Sequence, residues 1–428
     1  MRKLLILAVL VCLARAGWAQ PASTNLEEAL KQPLEVRFLD LSGQRLDRLP
    51  ASIGQLSNLE VLLLNDCQLQ ALPAEIGRLA KLRVLMLDGN GLTGLPAELG
   101  QLGELRLLSA GDNRLTSLPD LPALKKLEAL SVPGNRLTGL EVSGLSGLRH
   151  LVASGNQLTA PPGGLSRLRE LEDLDLGHNR IASLPGTVWA MNHLQSLILA
   201  GNPLREIPAS IGQFHSLTVL DLSDCGLIAL PAEAGRLRHL EQLYLSQNRL
   251  AALPESLADL LRLEELDLHA NDLAAVPPVL WRITSLEGLD LSSNRLTELS
   301  AGVGQLAHLR HLDLSDNRLG ELPAAIGDLR QLRALKVERN RLSHLPKLNR
   351  LTELRLLQLD GNQLATLPPM ADMLDLEVLC VEGNSLKTLP EGLVDLSHLR
   401  ELHLRGNPVA AEELQRYRAA RPKVEVEF

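Results

Sequence analysis

The sequence predicts an α/β solenoid of about 17 similar turns. Each turn gives one strand to a parallel sheet and one short helical or 3-10 turn to the opposite side. Three observations predict it. The phrase LxxLxLxxNxL returns seventeen times, with its Asn slot at Gln44, Cys67, Asn90, Asn113, Asn135, Asn156, Asn179, Asn202, Cys225, Asn248, Asn271, Asn294, Asn317, Asn340, Asn362, Asn384 and Asn407, mostly 23 residues apart. A fixed period of this length marks stacked supersecondary units. Within a phrase, Leu309, Leu312 and Leu314 alternate with Arg310, His311, Asp313 and Ser315, so leucines point inward and the residues between them outward. Then come Leu322-Pro323, Ile326-Gly327 and Leu329, where proline forbids a strand and starts a short helical turn. A back bulkier than the front bends the stack, so the outward strand residues line a concave sheet and the turns its convex side.

Taken in order, the chain opens on an export signal. Arg2 and Lys3 are a basic start, Leu4 to Ala14 an apolar stretch of eleven, and Gly17-Trp18-Ala19 a small-x-small cleavage site. Eleven apolar residues are too few to span a bilayer, so residues 1–19 are expected to be removed, with no membrane span left in the mature chain. Residues 20–35 read as an N-terminal cap with a short helix at Leu26–Leu30, residues 36–409 as the solenoid, and residues 410–428 as a C-terminal cap. That cap is a helix with Leu414 and Tyr417 on one face, followed by a short strand. Shorter steps into Asn135 and Asn156, and Ala160-Pro161-Pro162-Gly163-Gly164 in place of Leu-Pro, predict a local change of curvature over 118–165. On the back, Trp189 and Trp281 replace the glycine of the Ile-Gly pair and read as local cover.

The Asn slot is structural. At Asn90, Asn113, Asn179, Asn202, Asn248, Asn271, Asn294, Asn317 and Asn340 a buried amide can satisfy backbone groups of its own repeat and of its neighbour.

A chain of 428 residues would ordinarily hold two or three domains, but a solenoid grows by adding turns. Its aromatic content of 2% suits thin layers filled by one branched aliphatic shape. A net charge of −8, with no Lys/Arg run, argues against a nucleic-acid partner. Of the four cysteines, Cys12 falls in the expected signal; the mature chain keeps Cys67, Cys225 and Cys380, odd in number and far apart, so no disulfide framework is expected. Neither GxSxG, HExxH, GxxxxGK[ST] nor CxxC occurs, so no catalytic residue, metal or cofactor is expected. Cys380 and His403 fall at the same outward position of adjacent repeats, which reads as an exposed free thiol rather than a reactive pair.

The repeat resembles that of the leucine-rich repeat family over roughly residues 36–409. Its subtype LPxxIGxLxxL, as in Leu49-Pro50 through Leu59, is similar to that of soluble and exported bacterial members and of Ras-associated leucine-rich repeat scaffolds. The resemblance implies a curved horseshoe and a protein partner rather than an enzymatic activity.

The outward positions fall into three zones. Phe38, Val61, Leu63, Val84, Met86 and Leu107 form an apolar patch expected to be exposed. Asp221, Tyr244, Glu265, Asp267, Asp290 and Asp313 form an acidic row with one aromatic anchor. Arg333 and Lys336, with Arg339, Arg355 and Arg400, turn the face basic. The reading is an exported, monomeric, non-enzymatic protein that takes a protein partner on its concave sheet. A surface adhesion protein binding glycan or envelope polymer is the second reading. A cytoplasmic signalling scaffold is the third, if the export signal is not used.

Overall fold

The computed structural model describes residues 22–121, 124–184, 191 and 193–427. The expected signal segment and Trp189 lie outside the described residues. The chain is an α/β solenoid of about 17 repeats, divided into two compact units, one ending at Leu204 and the other beginning at Arg205.

The first unit carries eight three-residue strands, from Phe38–Asp40 to Ser196–Ile198, each paired in parallel with the next. The middle residue of every strand is a leucine with at most 1% of its surface exposed, as at Leu39, Leu62 and Leu151. At its start, helix α1 (Leu26–Ala29) is capped by Asn25, whose Oδ1 accepts from the Glu28 amide at 3.1 Å. Ser23 bridges to Leu39, so the residues before α1 cover the edge of the first strand, a place where open backbone groups would otherwise invite pairing with other chains. The second unit repeats the pattern from Val219–Asp221 to Glu401–His403 and adds Glu425–Glu427 beyond helix α2 (Ala411–Ala420), which buries Leu414 and Tyr417.

Return segments form 3-10 turns such as Ala74–Arg78, Ala232–Arg236 and Ala324–Asp328, each preceded by a proline held extended at ψ near 150°. Where successive turns stack closely the Ile-Gly glycine is required: a Cβ on Gly212, after Ile211, would lie 2.5 Å from the Glu233 carbonyl oxygen. In the irregular stretch of the first unit, Glu141 bridges to Gly163 and the 3-10 turn is shortened to Leu165–Arg167. Trp281 is buried against Gly302, where a Cβ would meet its ring at 2.4 Å.

Every repeat takes one residue with positive φ directly before the Asn slot. It is glycine at eight of them and a non-glycine such as Asp112, Gln247, Ala270 or Arg339 at nine, none β-branched. This reversal lets the amide fold back into the coil. Asn317 is typical: its Nδ2 donates to the carbonyls of Leu291, Leu314 and Ser315 at 3.0–3.1 Å, while its Oδ1 accepts from the Leu296 amide at 2.9 Å. Asn113, Asn179, Asn202, Asn248, Asn271, Asn294 and Asn340 are likewise buried, and Asn90 is half-buried.

A thiol can donate but accepts poorly, and the backbone adjusts where cysteine fills the slot. Cys67 Sγ donates to the Leu41 carbonyl at 3.1 Å, and the amide of Leu46, which an Asn oxygen would take, donates instead to the Cys67 carbonyl at 3.1 Å.

Candidate functional site

The outward residues stand in columns because strand register is kept from repeat to repeat. Phe38, Val61, Val84 and Leu107 share one column of the first unit, and Leu63 pairs with Met86 in another. The expected exposed apolar patch is corrected here. Val61, Val84, Met86 and Leu107 are buried with Ala129 in one cluster, and Phe38 and Leu63 are half-buried against it. Side chains that leave parallel strands under 5 Å apart roof one another, so pointing outward does not make them accessible. A ladder of charge runs directly before these strands: Arg37–Glu60 at 3.4 Å, Glu60–Arg83 at 3.3 Å, Arg106–Glu128 at 2.7 Å and Arg149–Glu172 at 2.7 Å.

Cys380 is corrected in the same sense. It does lie opposite His403, with Gln358 on its other side, but only 8% of its surface is exposed. Burial, aided by Asp360, pushes its thiol up to about 12. Cys67 and Cys225 are buried in their slots.

In the second unit the acidic row is in register. Tyr244 pairs with Asp267, Asp267 with Asp290, Asp290 with Asp313, and Asp313 with Lys336. Each aspartate of the row also does local structural work, since Oδ1 of Asp221, Asp267, Asp290 and Asp313 accepts the amide two residues on at 2.8–3.0 Å, an Asx turn. Burial first, then Asp313 and Asp267, raises the Asp290 carboxyl above its ordinary value against the lowering effect of Ser292. Lys336 Nζ reaches Asp313 Oδ2 at 3.6 Å.

The neighbouring column runs Gln242, Glu265, Gly288, His311, Ala334. Gly288 and Ala334 leave a gap there. The resulting hollow holds about 310 Å³ and is lined by Tyr244, Glu265, Asp267, Asp290, His311 and Asp313 among others. The Glu265 carboxylate occupies the place of the missing Gly288 side chain, 1.9 Å from where a Cβ would stand. Its carboxyl is raised by burial and then by Glu287 and Glu264. Those two acids, with Glu241, directly precede three successive strands, and Glu287 meets Arg310 at 2.6 Å. The sequence reading did not weigh them. Arg333, Lys336, Arg355 and Arg400 follow, with Arg333 on Glu353 at 3.5 Å and both Arg355 and Arg400 on Glu377. Arg339 holds Asp316 through two hydrogen bonds, at 2.5 and 2.7 Å.

With the hollow and the charges of the outward columns in place, comparison with known proteins decides the family. The profile described as "Leucine-rich repeat region" matches residues 2–139 and 187–295, and "Leucine rich repeat" matches 159–204 and 284–342. The chain is a leucine-rich repeat protein. It is similar to the leucine-rich repeat protein LIC12759 of Leptospira interrogans, at 36% identity over 96% of this chain and 100% of that one, TM-score 0.83. It is also similar to the ectodomain of the plant membrane receptor kinase GASSHO1/SCHENGEN3 from Arabidopsis thaliana, solved in complex with CASPARIAN STRIP INTEGRITY FACTOR 2. That match has 32% identity over 87% of this chain, spans 50% of that one, and gives a TM-score of 0.67. The Arabidopsis receptor kinase HAESA ectodomain, solved with an extended IDA peptide hormone, matches at 26% identity over 87% of this chain and 66% of that one, TM-score 0.64. Among curated protein sequences none matches significantly. The leucine-rich repeat fold is typical of protein-binding proteins. Among the described residues no helix is long and apolar enough to cross a membrane.

Proposed function

We propose that this chain is an exported, non-enzymatic binding protein whose second unit recognises a basic segment of a protein partner on the outward face of its sheet. The observation that carries the reading is the in-register row Asp267, Asp290, Asp313 beside the Glu265–Gly288 hollow. Like charges about 5 Å apart repel by roughly 1 kcal/mol per pair even in water, and a cationic side chain seated among them relieves that repulsion. Tyr244 at one end offers a rigid amphipathic contact, and Lys336 beyond Asp313 marks where a partner's charge would have to change sign. The peptide- and protein-bound complexes of the plant receptors support a ligand of this kind, and the basic, apolar start of the sequence supports export.

The test uses a randomised peptide library selected against the full mature chain and against Asp267→Asn/Asp290→Asn/Asp313→Asn. Asparagine keeps an oxygen for the Asx turn and removes only charge. The expected result is Lys/Arg enrichment on the native protein, with binding that weakens as salt rises and falls at least tenfold on the triple variant. Selected peptides without net positive charge, or binding unchanged in the variant, would refute the reading. N-terminal sequencing of the mature protein is expected to begin at Gln20, and an intact Met1 would refute export by this route.

A further inference from the structure

At the far end of the second unit, one imidazole stands among carboxylates that no sequence motif joins. Register places Cys380 beside His403 and His403 beside Glu427, and Glu382 follows Cys380 by two residues, just past the end of its strand. One donor atom each from Glu382, His403 and Glu427 lies within 4.8 Å of the others, and all three residues are half-buried. His403 Nδ1 is 3.2 Å from Glu427 Oε2, and on the other side of the ring Nε2 is 3.5 Å from Glu401 Oε2.

We infer that Glu382, His403 and Glu427 form a binding site for a divalent transition-metal ion of the zinc type. Three features of the arrangement carry this. The donor set, one imidazole and two carboxylates, suits zinc rather than calcium, which takes six or more oxygens. Ligands about 2.0–2.2 Å from a tetrahedral zinc stand roughly 3.4 Å apart, and the donors, already within 4.8 Å of one another, need only a short approach to reach that spacing. Glu401 is placed to accept the Nε2 proton. It would thereby fix the tautomer that leaves the Nδ1 lone pair to the metal, the usual support for a metal-bound histidine. Glu401 is a positioning residue and not a ligand. Three protein donors leave the fourth corner open to water or to a side chain of a bound partner. Arg405 is the guanidinium nearest this group among the described ion pairs, and at 3.9 Å from Glu427 Oε2 it neutralises the cluster only in part.

The donors are 21 and 24 residues apart, so only the stacking of three strands brings them together. This explains why a search for metal motifs finds nothing there.

The experiment is isothermal titration of the full mature chain, stripped with chelator, using zinc chloride and, separately, calcium chloride. The expected result is one zinc equivalent bound with a micromolar or tighter Kd and no saturable calcium binding. His403→Gln and Glu427→Gln are expected to weaken zinc at least a hundredfold. Glu401→Gln is expected to weaken it about tenfold and to alter the Nδ1/Nε2 tautomer signature of His403 in 15N NMR, which a purely structural glutamate would not do. Circular dichroism of each metal-free variant confirms folding, and if His403→Gln unfolds, Glu427→Gln, in the last strand, decides. Absence of saturable zinc binding, or zinc binding unchanged in both ligand variants, would overturn the inference.

Discussion

Replacing Asn317 with alanine tests the account of what holds the repeats together. The Asn317 amide makes four hydrogen bonds, and their loss is not equal. The Leu291 carbonyl keeps the Nδ2 of Asn294 at 3.0 Å, the Leu314 carbonyl keeps that of Asn340 at 2.9 Å, and the Ser315 carbonyl keeps the Ser293 amide at 2.8 Å. Only the Leu296 N–H loses its acceptor outright. A buried orphan donor costs about 1–3 kcal/mol and each lost but compensated bond about 1 kcal/mol or less, so Asn317→Ala should destabilise by about 2–4 kcal/mol. The assay is urea unfolding followed by circular dichroism, with hydrogen exchange of the segment around Leu296 as the local readout. That amide should lose protection by more than its distant neighbours do. Asn317→Asp, though of the same shape, should cost more than alanine, because it turns a carboxylate toward three carbonyl oxygens. A loss under about 0.5 kcal/mol, or an aspartate variant more stable than the alanine one, would refute the reasoning.

Asp290 has a folded value raised above its unfolded one, so its ionised form opposes folding. The native state binds the extra proton, and stability from this group falls as pH rises through the window above the ordinary carboxylate range. Asp290→Asn should therefore gain stability over the native protein at pH 7 and lose that advantage toward pH 4, read from urea midpoints. With a thiol at about 12 against an ordinary 9.0, Cys380 should label about a thousandfold slower than a free thiol on ionisation alone. A labelling rate near that of glutathione in the folded protein would contradict its burial. Ala270 holds φ 52°, a conformation costing a non-glycine about 1–2 kcal/mol, partly offset by the backbone entropy of glycine. Ala270→Gly should raise the thermal midpoint slightly, whereas Gly383→Ala, at φ 60°, should lower it.

Period and alternation made the seventeen strands legible, and with them the register that aligns Asp267, Asp290 and Asp313. Neither carries accessibility. Val61, Val84, Met86 and Leu107 point as alternation requires and are still buried, because cover comes from the side chains of neighbouring rungs and not from within the strand. The hollow beside Glu265 was hidden for a related reason, since it is made by what Gly288 lacks. Glu241, Glu264 and Glu287 stand directly before their strands, where Arg333, Arg355 and Arg400 also stand, and they escaped notice because the acidic row was followed only through residues within the strands. The amides of the Asn slot are buried from Asn113 to Asn384 and half-buried at Asn90, and the positive-φ residue before each was not foreseen, because residues as different as Asp112, Gln247 and Arg339 serve there.

The doubly used carbonyls bear on how such a molecule can change length. Leu291 and Leu314 each receive amides from two successive rungs, all built alike, so removing one whole turn lets the flanking turns join through the same bonds. Cutting part of a turn would instead strip an amide from its acceptors. Steps of 21 and 22 residues survive where the return segment, not the strand, gives up the difference. Insertions and deletions should therefore be tolerated in integral turns or on the back, and the width of the outward sheet face should grow or shrink by one rung at a time.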